Sequence, residues 1–376
     1  MKILRSITFF IFALIFCIEN SFSAEIYEYG QSIRALGMGN AYTAVVNNYE
    51  AMWYNPGALG RVEGINLTIL DLNFGVDGQD AVKTVNEFKS STASGLQKFS
   101  ALYGKQIWAG LGAKVALAWP YFGVGVYDSG FFKLNLKNPA LPTFNVGYMN
   151  DLGFTIGGAV AVGPSAYVGL VGKKVIRSGT VGEYEVSNFL DGNTEDITND
   201  LKRKGSAYGA DLGFTWTLPG PLSTTVSGVW KDVGMTTFVK ESGFLAPPRI
   251  EDERILGVAT GFDLTVIDMT AAIDYKHINN NSENIGKKIH MGLEIGLPMI
   301  DIRGGFSQGY YSMGASLDLF ILRMDLAYYG VELGEYPGQH EDRRFEAQLV
   351  MELGFDPSFN FLEINKAKGR RLKQRR

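Results

Sequence analysis

The side chains able to do chemistry in this 376-residue chain are few and are poorly spaced for catalysis. It has one cysteine, Cys17, and three histidines, His277, His290 and His340. No His-x-x-x-His pair occurs and no Gly-x-Ser-x-Gly turn presents a serine, so neither a two-histidine metal site nor an activated serine is expected. Nor does a glycine-rich stretch lead into the lysine and helix that would cradle a phosphate. The expectation is a protein that is not an enzyme and carries no metal or cofactor. What remains is ion-pair chemistry. One arginine, Arg34, stands in a Gly- and Ala-rich stretch, and Asp211, Asp268, Asp274, Glu294, Asp318, Asp325 and Glu352 fall on the polar faces of alternating segments. A guanidinium enclosed among carboxylates forms charge-assisted, bidentate hydrogen bonds. That arrangement reads as a network that fixes one segment against another and keeps an enclosed space polar.

Two kinds of segment must position these charges. Residues 1–23 have Lys2 and Arg5, the apolar run Ile7 to Ile18, and then Ser21 and Ser23. This is a secretory signal cut after Ser23; Phe16 before Cys17 argues against a lipidation site. The mature chain then lacks cysteine, so no disulfide framework or thiolate metal site is expected. No later window is apolar enough for a transmembrane helix, so a membrane span must be built from strands.

From Ile65 onward the chain alternates with period two. Leu322, Met324, Leu326 and Tyr328 share one face, with Arg323, Asp325 and Tyr329 on the other. Phe345, Ala347, Leu349, Met351, Leu353 and Phe355 likewise oppose Glu346, Gln348 and Glu352. One face suits hydrocarbon and the other suits water. About fourteen such segments can be drawn, among them Ala166 to Arg177, Ser206 to Thr217, Ser223 to Lys231 and Ile321 to Tyr329. Their connections alternate between long and tight, the plan of a barrel with short periplasmic turns and long outer loops. In lipid such strands satisfy their backbone only if the sheet closes. The expected fold is therefore all-β: a transmembrane antiparallel β-barrel of about 14 strands with an N-terminal luminal plug. A soluble sandwich or propeller is the competing reading, but a repeat of roughly 40–45 residues is missing.

The expected organisation is a signal peptide over 1–23, a plug over 24–64, a barrel over 65–355 and a basic periplasmic tail over 356–376. The net charge of −4 excludes nucleic acid as an expected partner. In the first long link Val85, Phe88, Leu96, Phe99 and Leu102 recur at helical spacing and form a candidate surface for a hydrophobic ligand. A second short helix is expected from Thr194 to Gly205, with an acidic start and a basic end.

The plug carries a resemblance. RALGMGNAY followed by AMWYNPGAL is similar to the N-terminal signature of the FadL-like long-chain fatty-acid transporter family of outer-membrane β-barrels, whose broader superfamily includes secretion-associated barrels. The matching positions are Arg34, Ala35, Gly37, Gly39, Ala41, Tyr54, Asn55, Pro56, Gly57, Ala58 and Leu59; here Gly57 and Ala58 stand in exchanged order. Independently of family, Asn55 can cap, Pro56 fixes φ, and Gly57 accepts a left-handed turn. The plug residues singled out are Arg34, Gly37, Gly39, Asn55, Pro56 and Gly57. The resemblance implies a passive transporter for hydrophobic or amphipathic molecules such as long-chain fatty acids, in the outer membrane of a Gram-negative cell. Its expected partners are outer-membrane lipid and a hydrophobic ligand. The alternative reading is a scaffold barrel binding a secreted or envelope protein through its tail or loops.

Overall fold

The computed structural model describes residues 25, 31–77, 86, 90, 103, 106–137, 143–187, 195–220, 222–263, 267–319 and 321–355. Alternating sequence becomes extended strand throughout the second part of the chain. The strands are β1 (Ile65–Asp77), β2 (Gln106–Trp119), β3 (Phe122–Lys137), β4 (Thr143–Gly163), β5 (Ala166–Glu185), β6 (Lys204–Thr217), β7 (Thr225–Lys231), β8 (Val239–Ser242), β9 (Glu253–Asp263), β10 (Asp268–Tyr275), β11 (Ile289–Gly296), β12 (Ile300–Ser307), β13 (Tyr310–Leu319), β14 (Leu322–Glu332) and β15 (Glu341–Phe355). Each pairs antiparallel with its sequence neighbours, except that β8 leaves the order and pairs only with the end of β6. β1 pairs with β15, and β5 with β6, so fourteen strands close into a barrel with β8 outside the ring. A bulge in β1 between Thr68 and Asp71 shifts its register against both neighbours.

The burial pattern follows the period-two reading. In β14, Arg323, Asp325 and Ala327 are buried while Met324 and Leu326 lie open on the outer wall. In β10, Asp268, Thr270 and Asp274 are buried and Ile273 is exposed. An apolar outside and a polar inside reverse the sense of a soluble protein and suit a barrel in hydrocarbon.

Three short elements precede the barrel: α1 (Ile33–Gly37), α2 (Ala51–Tyr54) and a 3₁₀ turn at Pro56–Arg61. They lie inside the ring, and nearly every side chain between Ser32 and Val62 is buried. Two further helices sit in the links, α3 (Glu195–Leu201) and α4 (Ile285–Lys288). The first matches the short helix expected there. Several strand limits shift by one to four residues, β14 for example running on to Glu332, and two departures are larger. β5 continues eight residues beyond Arg177 to Glu185, and β8 occupies a link expected to be loop. Val85, Phe88, Leu96, Phe99 and Leu102, together with the signal and the basic tail, lie outside the described residues.

Candidate functional site

The interior is organised by how the N-terminal segment meets two unlike halves of the wall. On one side the contact is ionic. The Arg34 guanidinium donates to both oxygens of Glu294 in β11, at 2.7 and 2.8 Å, and to the Tyr42 hydroxyl at 3.2 Å. Arg303 in β12 donates to the same carboxylate at 2.6 Å, and also reaches Asp301 at 3.1 Å and Asp325 at 3.2 Å. Arg323 closes the row on Asp325 at 2.7 Å. Glu294 thus joins the N-terminal segment to a lattice of charges carried by three strands, β11, β12 and β14. Its worth lies in the completeness of its pairing, since a buried ion with its partner removed is far more costly than an intact pair is stabilising.

The segment's backbone is held by the same half. Asp274 accepts the amide N–H groups of Tyr42 and Thr43, each at 2.9 Å. The Ser312 hydroxyl accepts from the Gly39 amide at 2.8 Å and donates to the Gly37 carbonyl at 3.2 Å. His290 places its Nδ1 2.8 Å from the Gly39 carbonyl, so this histidine positions backbone. Gly39 has φ of +61°, and a Cβ there would lie 2.6 Å from the Met291 carbonyl oxygen. Only glycine fits. Burial pushes the Tyr42 hydroxyl well above the ordinary tyrosine range, with Arg34 opposing and Glu50 adding to the rise. Tyr42 therefore stays a neutral donor, and it gives its proton to a hydrogen bond with Glu50 at 2.8 Å.

On the other side the contact is close-packed. The Asn55 side chain accepts from the Gly57 amide at 3.0 Å and donates to the carbonyls of Thr43 at 3.1 Å and Phe214 at 3.3 Å. This seats the Asn55-Pro56-Gly57 turn directly on β5 and β6. A Cβ on Gly169 would fall 2.1 Å from the Pro56 carbonyl oxygen, and one on Gly213 would fall 2.3 Å from the Asn55 side-chain oxygen. Met52 and Leu59 lie over Gly123, and Leu59 also reaches Gly157. Glycines on the wall thus make room for Met52, Asn55, Pro56 and Leu59 of the segment.

Between the segment and the long-loop rim a cavity of about 100 Å³ remains. Leu36, Trp108, Phe131, Tyr329 and Val331 supply apolar surface, and Arg344, Glu346 and His290 supply charge or hydrogen bonds. The Arg344 guanidinium lies 4.3 Å from the centre of the Trp108 ring. It pairs with Asp342 at 2.7 Å and with Glu25 at 2.5 Å, while Lys133 stands 3.6 Å from the other Glu25 oxygen. Arg344 and Lys133 belong to the loop-side halves of β15 and β3. Glu25 is therefore held near the rim opposite the one at which Val62 leads into β1.

Of the sequence-identified residues, Arg34, Gly37, Gly39, Asn55, Pro56 and Gly57 all meet the wall inside the barrel. Of the carboxylates proposed for Arg34, Glu294 is the one it engages. Among the described residues no group of three or more His, Cys, Asp or Glu side chains could hold a metal. Trp108, Lys133, Arg344 and Glu25 were not singled out by sequence reasoning. The signal for three of them was an aromatic and two cations within a few residues of strand ends; Glu25 stands ahead of every element and carried none.

No family model matches the chain, and no curated protein matches it. Solved structures similar to it include the CymD monoaromatic hydrocarbon channel, at 12% identity and a TM-score of 0.48, covering 85% of this chain and 96% of that one. The Pseudomonas putida toluene transporter TodX is similar at 10% identity and a TM-score of 0.48, covering 88% and 99%. A Pseudomonas aeruginosa FadL homologue is similar at 11% identity and a TM-score of 0.32, covering 89% and 100%.

Proposed function

We propose that the protein is an outer-membrane passive channel for hydrophobic or amphipathic small molecules, with long-chain fatty acids as the substrate class and the segment ahead of β1 as its plug. In this reading residues 1–23 direct export and are removed, and residues 356–376 extend into the periplasm. Val85, Phe88, Leu96, Phe99 and Leu102 form the outer capture surface. A wall apolar outside and charged inside supports the membrane location.

The observation that carries the substrate class is the setting of Glu25. Its carboxylate lies between Arg344 and Lys133, against a lining that contains Trp108, Phe131 and Leu36. A cation pair beside aromatic surface fits a molecule with an anionic head and an apolar body. Glu25 stands where such a head would sit, so an incoming carboxylate exchanges one ion pair for another while its chain gains apolar contact. The exchange needs no nucleotide or other energy source.

The test is binding of oleate to the purified protein in detergent, compared with Arg344→Gln and Lys133→Gln. The reading expects a tenfold or greater loss of oleate affinity in each variant, with little change for an uncharged hydrocarbon. Equal oleate affinity in wild type and variants would overturn the carboxylate site. Unchanged uptake of labelled oleate in a deletion strain would overturn the transport reading itself.

A further inference from the structure

On the outer wall, β4, β5 and β6 run past the level at which the barrel is apolar, and loops fold back against their outer face. The clue is that Leu136, Phe144, Val146 and Tyr184, all near the loop-side strand ends, are buried with Ile197 of α3. Beside this cluster lies an open groove of about 710 Å³, lined by Tyr148, Ser178, Lys202, Arg203, Lys204 and Phe244.

Its height follows from the strands. Lys174 faces outward eight residues along β5 from Ala166. At ~3.3 Å per residue and a tilt of roughly 40°, it stands about 20 Å above the tight-turn rim, near the upper edge of an apolar band about 25 Å tall. Its ammonium lies 5.7 Å from the centre of the Tyr208 ring, an aromatic 79% exposed on the outer wall. Ser178 and Lys204 pair in register four residues further up. The groove therefore begins where hydrocarbon ends, at the level of lipid headgroups.

Its charge is not balanced from within. Arg203 pairs with Asp200 at 2.5 Å, and Lys204 stands 3.6 Å from Glu241 with both side chains well exposed. Among the described residues, Lys202 in the lining and Lys174 on the wall below it form no ion pair. Phe244, 77% exposed, and Tyr148 supply apolar surface between the cations. The shape is also fixed: the Gly179 amide donates to the Arg203 carbonyl at 2.7 Å, tying the end of α3's link to the β5 backbone.

We propose that this groove binds the phosphate of an anionic, phosphorylated lipid of the outer leaflet, with Lys202 and Lys204 in its lining and Lys174 on the wall just below it as the cations that hold it. Cations facing lipid at headgroup height are stabilised by phosphate and cost desolvation without it. Exposed aromatics at that level hold the upper acyl region. The inference rests on the outer-membrane reading but not on the substrate of the channel.

The experiment uses the full-length protein reconstituted with diphosphorylated lipid A or with the same lipid after enzymatic dephosphorylation. Bound lipid is counted by native mass spectrometry after transfer to mild detergent. Wild type is expected to retain the phosphorylated lipid at least tenfold more than the dephosphorylated one. The variant K174Q/K202Q/K204Q is expected to lose that preference while keeping the heat-modifiable mobility of a folded barrel. Equal retention of the two lipids by wild type, or an undiminished preference in the triple variant, would overturn the inference alone. Displacement of the lipid by millimolar inorganic phosphate would overturn it in favour of a free-anion site. A chain that stays soluble and never inserts would overturn the membrane reading, and the inference with it.

Discussion

Glu294 and Arg34 form one ion pair, yet replacing them singly is expected to have unequal consequences. In Glu294→Gln, Arg34 remains buried with the Tyr42 hydroxyl as its neighbour, because the carboxylate supplied both of its short hydrogen bonds. Arg303 loses one partner but keeps Asp301 and Asp325. A buried charge stripped of its counter-ion costs about 3–5 kcal/mol. In Arg34→Gln, Glu294 keeps the Arg303 guanidinium at 2.6 Å, so the loss is closer to that of hydrogen bonds to a charged group, about 1.5–3 kcal/mol. At 1.4 kcal/mol per decade, the first change raises the population with the segment released by roughly 150-fold or more, and the second by roughly 10- to 150-fold. Hydrogen exchange over residues 32–62 reads the release directly, and planar-bilayer conductance reads its effect on the lumen. Glu294→Gln should show the faster exchange and the more frequent openings. The double variant should cost less than the sum of the two, since its members share one interaction. If the two single variants were indistinguishable from wild type, or if Arg34→Gln were the worse, the reasoning from partner counts would be refuted.

Other consequences are simpler. Gly39→Ala forces a Cβ to within 2.6 Å of the Met291 carbonyl at positive φ and should accelerate exchange over the same residues, whereas Ala41→Gly, at a position making neither demand, should have a much smaller effect. Asn55→Ala removes three hydrogen bonds at the turn and should lower stability against denaturant by about 1–3 kcal/mol; a change below about 0.5 kcal/mol would show that the turn holds itself. Leu326→Arg, on the outer wall, should lower folding stability in lipid vesicles by about 2–4 kcal/mol, and an unaffected variant would deny that this face meets hydrocarbon.

The strands were legible because the barrel imposes one rule on each residue. Leu326 and Asp325 must differ, as one faces lipid and the other the lumen, so the alternation survives in the sequence. The rule lapses where the constraint lapses. Between Ser178 and Glu185 the outer face of β5 is above the apolar band and partly covered by the protein's own link, so its residues carry no alternating signal and the strand reads as loop. β8 is four residues long with every position exposed, and nothing in its composition separates it from its surroundings. The N-terminal residues from Arg34 to Gly57 were visible through glycine and turn chemistry, which are local. Their partners were not: Glu294 lies 260 positions from Arg34, and only the closed barrel brings that inward carboxylate, rather than Asp268 or Asp318, beside the guanidinium. The cavity residues were hidden for the same reason, since Trp108 and Arg344 meet only because β1, between them in the sheet, brings β2 and β15 to one stretch of wall.

The central claim is that the wall is apolar outward and polar inward around a filled lumen, and one strand suffices to test it. Nitroxide labels placed singly from Met324 to Tyr328 of the processed chain, which has no cysteine of its own, report collision with dissolved oxygen and with a water-soluble nickel chelate in lipid vesicles. The account predicts high oxygen and low nickel accessibility at Met324, Leu326 and Tyr328, with low values of both at Asp325 and Ala327, which are buried beneath the N-terminal segment. Uniformly low oxygen accessibility at Met324, Leu326 and Tyr328, as in a dry protein core, would contradict it.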